Sequence, residues 1–333
     1  MLIAPIDWAA VAPDSDADVV PAEVAGHLEH LQTRARDYAE KARADATKKA
    51  YLSDWTEFTA WADHRGLTSL PAEPGTVMYY IVELAGVAKT STIGRRLVSI
   101  GEYHRAAGLA SPTEDTTVQT VWAGIRNEHG TAPKVAEPIS VPLLRAMIAK
   151  LPPGARGARD QALLLVGFAA ALRRSELVAL DIGDVVKRQQ GLVVNIRRSK
   201  TDQEGAGRRV GVPYGSNPLT CPVRAVEAWC QAGRIEEDAL FLSFDRRGRL
   251  TPDRLSPSAI PRIVRRAVAA TGADPGPYSA HSLRAGLATA AAAAGVSERS
   301  IMAQTGHRSL VVARGYIREG SLFRDNAAAA VGL

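Results

Sequence analysis

Cysteine is nearly absent from this chain: Cys221 and Cys230 are the two among 333 residues. Two thiols cannot build a disulfide framework, and no Cys-x-x-Cys pair or Cys/His cluster points to zinc, so a reducing, cytoplasmic setting is expected. Aromatic residues are scarce too, at 5%, against 46% hydrophobic residues overall. That balance describes a globular, alanine-rich protein with material for about two domains, not a low-complexity chain. Long apolar runs are missing: Ala285 to Val296 is mostly alanine and well short of the roughly 20 residues that span a bilayer. The N-terminus lacks an opening basic residue, and Pro5 and Asp7 interrupt its short apolar start, so neither a signal peptide nor a membrane partner is expected.

Basic charge is what the chain has in surplus, with 41 Lys and Arg against 35 Asp and Glu. The first 33 residues contain six acids (Asp7, Asp14, Asp16, Asp18, Glu23 and Glu29) and no Lys or Arg, so the rest sets 41 bases against 29 acids. A basic body of this kind favours a polyanionic partner, and with the membrane set aside that partner is nucleic acid.

Residues 1 to 20, with Pro5, Pro13 and four Asp, have no sustained period and read as a flexible acidic leader. From Pro21 to Gly130 the pattern is helical throughout. Tyr51, Trp55, Phe58 and Ala62 recur at three- and four-residue spacing, as do Ile93, Leu97, Ile100 and Tyr103, which predicts a small all-α domain. Residues 131 to 138 contain Pro133 and Pro138 and no periodicity, and read as a linker. The second domain, 139 to 333, returns to helical periodicity except at one place. There Gly191 to Arg198 and Arg208 to Pro213 are β-prone on either side of a turn at Gln203 to Gly207, which predicts a hairpin. The expected fold is mainly α, a helical N-terminal domain followed by a mixed α+β domain with a small antiparallel sheet.

Four islands in the second domain hold polar or cationic residues where packing alone would not place them. Arg173 and Glu176 stand three apart in Leu172-Arg-Arg-Ser-Glu-Leu177, a spacing that on its own reads as a surface ion pair. Lys200 sits at the tip of the predicted hairpin. His281 and Arg284 open an alanine-rich helix, where free N–H groups and the helix dipole also attract an anion. Ser297 as N-cap and Gly306 as C-terminal stop bound another helix, followed by His307 and, nine residues on, Tyr316.

Taken together, Arg173, Lys200, His281-x-x-Arg284, Gly306-His307 and Tyr316 resemble, in order and spacing, the active-site set of the tyrosine recombinases, or integrase family. The helical segment 21 to 130 resembles the core-binding, DNA-binding domain of the Cre-like branch. One departure stands out: the family usually has glycine where this chain has Ala171, a small-for-small change expected to leave Arg173 little altered.

The resemblance implies strand cleavage and rejoining with no metal, cofactor or ATP. Arg173 and Arg284 would hold the scissile phosphate, and Tyr316 would attack it to form a 3′-phosphotyrosyl link. Lys200 would protonate the leaving 5′-oxygen, His281 would accept the tyrosine proton and His307 would hydrogen-bond the phosphate. Glu176 would orient His281 or Arg173. The partner implied is double-stranded DNA carrying a specific site, bound by a homotetramer on two duplexes that pass through a Holliday junction. DNA contacts are expected from Lys48, Lys49, Lys89, Thr90, Arg95 and Arg96 in the first domain and from Arg262, Arg265 and Arg266 in the second. The 321 to 333 segment, by the same resemblance, would pack on a neighbouring protomer. A type IB topoisomerase-like strand passer and a non-catalytic DNA-binding protein on the same fold are the competing readings.

Overall fold

A computed structural model describes residues 22–41, 45–131, 136–197, 207–307, 309–310 and 313–316. The acidic leader, Lys200 and the 321 to 333 segment lie outside the described residues. The chain divides into two compact units, Met1–Lys134 and Val135–Leu333.

The first unit holds α1 (Ala22–Lys41), α2 (Asp45–Asp63), α3 (Pro74–Ala85), α4 (Thr90–Ala106) and α5 (Thr116–His129). The stripes expected on α2 and α4 face inward: Phe58, Ala62, Ile93 and Ile100 are fully buried, joined by Val77, Ile81 and Val118. Trp55 stacks on Tyr103 at 4.3 Å, so the few aromatics of this unit gather at the α2–α4 contact. Proline at the first position of α3 and the Asp115 carboxylate accepting from Thr117 N–H set two of the helix starts.

His104 at the end of α4 is fully buried and uses both ring nitrogens. Nδ1–H donates to the Ile100 carbonyl and Nε2 accepts the Ala72 N–H, each at 2.8 Å. Only the neutral ring can do both.

In the second unit come α6 (Val141–Ala149), α7 (Ala155–Ala169), α8 (Arg174–Ala179), β1 (Val185–Arg188), β2 (Gly191–Ile196) and β3 (Arg208–Pro213). They are followed by α9 (Pro222–Gly233), β4 (Leu242–Phe244), β5 (Leu250–Arg254), α10 (Ala259–Ala269), α11 (His281–Ala293) and α12 (Glu298–Thr305). Residues 313–316 form a further helical turn. The middle of α7 is buried all round, with Leu163, Leu164, Leu165 and Val166 at 3% exposure or less, which makes it the central helix of this unit. Trp229 of α9 is enclosed beside it and donates its indole N–H to the Leu240 carbonyl at 2.7 Å.

The expected mainly helical fold with a small antiparallel sheet is the one adopted. The predicted hairpin is present as β2 and β3, paired from Gly191↔Pro213 to Ile196↔Arg208, but β1 adds a third strand and β4–β5 form a second sheet. Those extra strands are three to five residues long and half-exposed or exposed, too short to show a period in the sequence. Helix α10 starts at Ala259, with Ser256 and Ser258 hydrogen-bonded to each other just ahead of it. Among the described residues no helix is long and apolar enough to cross a membrane.

The end of α7 sets the turn that follows it. The helix stops at Ala169, and Ala171, fully buried, turns left-handed at φ 49 while Leu172 N–H reaches back to the Gly167 carbonyl at 3.2 Å. A Cβ crowds the backbone in that conformation, by roughly 1–2 kcal/mol, whereas glycine enters it freely.

Two outcomes follow from these elements. Replacing Ala171 with glycine is expected to raise stability by about 1 kcal/mol, read as a higher urea midpoint at unchanged slope; a lower midpoint would mean that the methyl group's packing outweighs the strain. Burial holds the His104 pKa below the usual histidine value, against the opposing hydrogen bond to Ile100. The unfolded chain therefore binds the proton first, so stability is full above about pH 6.5 and falls as the pH drops below it. In His104→Gln that slope should be shallower than in the wild type, by at most about 1.4 kcal/mol per pH unit for one proton, measured as unfolding free energy against pH.

Candidate active site

The left-handed turn at Ala171 delivers Arg173 to the N-cap of α8. Glu176, three residues on, is 2% exposed and serves both the helix and the arginine. Its Oε2 accepts the Arg173 backbone N–H at 2.9 Å, and its Oε1 accepts from the Arg173 guanidinium at 2.6 Å. Glu176 thus caps the start of α8 from its third position and pairs with the Arg173 side chain at the same time, a half-buried ion pair where the spacing suggested one on the surface. Of the two partners expected for Glu176, the structure gives it Arg173.

Helix α11 brings His281 and Arg284 in its first turn. Gly286 lets this helix close on the chain entering α6, since a Cβ there would lie 2.2 Å from the Ile139 carbonyl oxygen. Arg284 is 1% exposed. One guanidinium nitrogen donates to the Ala171 carbonyl at 2.9 Å and to the Thr305 carbonyl, while its Nε and second terminal nitrogen are buried with no partner. Burial, then Arg173, lowers its pKa to about 10, so it stays charged at neutral pH. A buried, charged group with two of its three guanidinium nitrogens unused fits an anion that completes it.

Helix α12 starts on the Ser297 cap, as expected, and stops at Gly306, φ 66. The stop frees the last carbonyls of the helix, and two arginines take them up: Arg284 on Thr305 and Arg208 on Gln304, the latter at 2.9 Å. It also places His307 against Tyr316, ring planes 14° apart with centroids at 5.7 Å. The Tyr316 hydroxyl hydrogen-bonds His281 Nε2. Five of the expected residues, Arg173, His281, Arg284, His307 and Tyr316, together with Glu176, are thereby linked by hydrogen bonds, ring contact or mutual charge.

Both histidines are held neutral. His281 is open to solvent on one side, yet the surrounding protein desolvates its ring and, with Arg284 and Arg173, keeps its pKa below the usual value. Desolvation and the neighbouring cations, Arg284 first, push His307 down to about 3. His281 can therefore take a proton from Tyr316 at neutral pH.

Arg208 was not among the residues singled out from the sequence. From the start of β3 it reaches Glu176 Oε2 at 3.4 Å, and its Nε is buried without a partner. The signal was present in the alternation of the strand: Arg208 shares the inward parity of Val210 and Val212, both buried.

The remaining basic candidates separate by what they touch. Lys49, Lys89, Arg95 and Arg262 are exposed; Arg95 donates to Asp54 at 3.0 Å, and half-buried Lys48 lies 3.8 Å from Asp45. Thr90 donates to the Gly130 carbonyl. Arg96 is drawn inward by Asp54, Glu57 and Tyr80. Arg265 donates to the Tyr278 carbonyl at 3.0 Å, and Arg266 pairs with buried Asp160 at 2.5 Å. Among the described residues no three His, Cys, Asp or Glu side chains gather as metal ligands.

Comparison with known proteins identifies the family. The phage integrase family model matches residues 140–321. An integrase/recombinase xerD homolog of Selenomonas ruminantium is 38% identical over 304 residues, covering 90% of this chain and 89% of its own. Recombinase cre of Escherichia phage P1 is 27% identical over 300 residues, covering 84% and 85%. In fold, the chain is similar to the XerH site-specific recombinase bound to its palindromic difH substrate, with a TM-score of 0.58 at 16% identity over 78% of this chain and 72% of that one. The chain belongs to the phage integrase family and is a tyrosine recombinase.

Proposed function

We propose that this recombinase cuts and rejoins double-stranded DNA at a specific site through a 3′-phosphotyrosyl intermediate. The observation that carries the reading is the Tyr316 hydroxyl bonded to neutral His281, in the same cluster as the half-satisfied guanidinium of buried Arg284. Phenol normally titrates near pH 10, so Tyr316 needs a base at the moment of attack. Its oxygen forms the new bond to phosphorus while its proton passes to His281 Nε2. The bond from phosphorus to the 5′-oxygen breaks, and Lys200 gives that oxygen a proton. Arg284 and Arg173 take the charge of the non-bridging oxygens, with Glu176, itself bonded by Arg208, holding Arg173 in place.

One phosphodiester is exchanged for another, so the reverse step needs only a 5′-hydroxyl, and neither a metal ion nor ATP enters. Two duplexes have four strands, and one tyrosine per protomer cuts one strand. The family resemblance supports a homotetramer on those two duplexes, exchanging strands through a Holliday junction. Lys48, Lys49, Lys89, Thr90, Arg95 and Arg262 are the proposed DNA contacts. Arg96, Arg265 and Arg266 are proposed with them, and each also bonds a protein group.

Tyr316→Phe removes one oxygen and little volume, so it should keep DNA binding and lose the covalent adduct with a nicked candidate site on denaturing electrophoresis. An adduct formed by the Phe variant would place the nucleophile elsewhere. Lys200→Ala should be slow on ordinary DNA and recover most of its cleavage rate when sulfur replaces the bridging 5′-oxygen, because a thiolate leaves without a proton. No recovery would assign the leaving-group proton to another residue.

A further inference from the structure

Thr305, the last residue of α12, is fully buried, and the chemistry above does not use its side chain. Its hydroxyl oxygen lies 2.7 Å from the Ile301 carbonyl oxygen and 2.9 Å from His307 Nδ1. Two oxygens that close repel unless a hydrogen lies between them, so the one hydroxyl hydrogen is spent on Ile301. The hydroxyl then meets Nδ1 only as an acceptor. A neutral imidazole has a single N–H, so that hydrogen sits on Nδ1 and Nε2 is bare.

A bare nitrogen cannot donate to a phosphate oxygen; two lone pairs facing each other repel. Nε2 is nevertheless the ring nitrogen left for the phosphate, since Thr305 occupies the other. We propose that Thr305 is a positioning residue that holds His307 as its Nδ1–H tautomer, so that the site gains a proton on Nε2 when it takes up a phosphodiester. This deepens the phosphoryl-transfer reading and rests on it.

The groups around His307 act in the same direction. Arg284 and His281 from α11, Arg173 at the head of α8 and Arg208 from β3 all disfavour a further positive charge, and Tyr316 stacks on the ring. Glu176 is already shared between Arg173 and Arg208. An incoming phosphate anion offsets those cations and offers Nε2–H an acceptor. The imidazolium then has both hydrogens satisfied, one on Thr305 and one on phosphate. A ring free to adopt the Nε2–H form would donate without gaining a proton, and the coupling would be lost.

The test uses the full chain with isotope-labelled histidine and long-range proton–nitrogen correlation spectra near neutral pH, without DNA. The His307 signal is assigned by its disappearance in His307→Gln. Wild type and Thr305→Ser should show Nδ1 protonated and Nε2 bare, and Thr305→Val, which has no acceptor, should shift toward the Nε2–H form. An Nε2–H ring in the wild type, or an unchanged ring in Thr305→Val, overturns the proposal; should the valine variant not fold, the wild-type and serine spectra still decide. Sulfate, added as a tetrahedral oxyanion probe, should protonate both His307 nitrogens in the wild type, and a ring that stays neutral overturns the coupling.

In adduct formation against pH, the wild type should lose rate on the alkaline side as the bound imidazolium gives up its proton. Thr305→Val should lose that dependence, and Thr305→Ser should restore it. The spectra need no catalysis, so loss of the adduct in every variant would count against the phosphotyrosyl reading while the tautomer result stood apart from it.

Discussion

The buried guanidinium of Arg284 is the contact on which the active site depends. By donating to the Ala171 and Thr305 carbonyls it joins the left-handed turn that presents Arg173 to the helix end that presents His307. Both carbonyls are open because their helices stop there: α7 ends just before the turn at Ala171, and α12 is ended by Gly306. Helix ends leave carbonyls without intrahelical partners, and a buried cation is among the few groups that can satisfy two of them at once. The same arginine therefore organises the protein with one edge and leaves two nitrogens unused on the other, the edge proposed to meet phosphate. Removing it would be felt in folding as well as in chemistry.

Charge in the site is unbalanced by construction. Among the described residues Glu176 is the carboxylate hydrogen-bonded into the cluster, and it is shared by Arg173 and Arg208 while Arg284 has no carboxylate partner there. Such an excess of buried positive charge costs stability unless an anion completes it. The cost has a use: the same field holds His281 and His307 neutral, so the imidazole that faces Tyr316 is ready to accept a proton. In the proposed reaction, the readiness of the base and the hold on phosphate would both come from this one arrangement of arginines. Arg208 adds a mechanical link, because it starts β3 at the pair Ile196↔Arg208, where the chain closes the segment that contains Lys200.

The first unit follows a different logic. Its core is aliphatic with a patch of aromatics between α2 and α4, and its basic residues divide into those that hold α4 to α2 and those that face solvent. Asp54, 2% exposed, is approached by both Arg95 and Arg96, and burial raises its pKa against their pull. A basic run read from the sequence as one surface is in fact partly interior. Periodicity alone could not separate Arg95 from Arg96, since adjacent residues on a helix differ by only about 100° in direction.

Much of this protein was legible in the order of its residues. Repeating apolar positions specified α2 and α4 because their stripes had to be buried, and Ser297 and Gly306 bounded α12 because a cap and a left-handed stop are local chemistry. The candidate site was legible in another way: Arg173, His281, Arg284, His307 and Tyr316 each read alone as ordinary surface or core residues, and only their shared order and spacing resembled a family's set. What the tertiary structure alone decided was which groups meet. Ala171 looked like a harmless substitution until its φ of 49 showed why glycine suits that turn, a fact about backbone direction with no trace in composition. Arg208 and Thr305 entered the site because β3 and α12 converge on it from more than 90 residues apart, joined by the Arg208 bond to the Gln304 carbonyl. A sequence specifies local conformation through near neighbours, but hydrogen bonds between distant segments exist only after the core has brought those segments together.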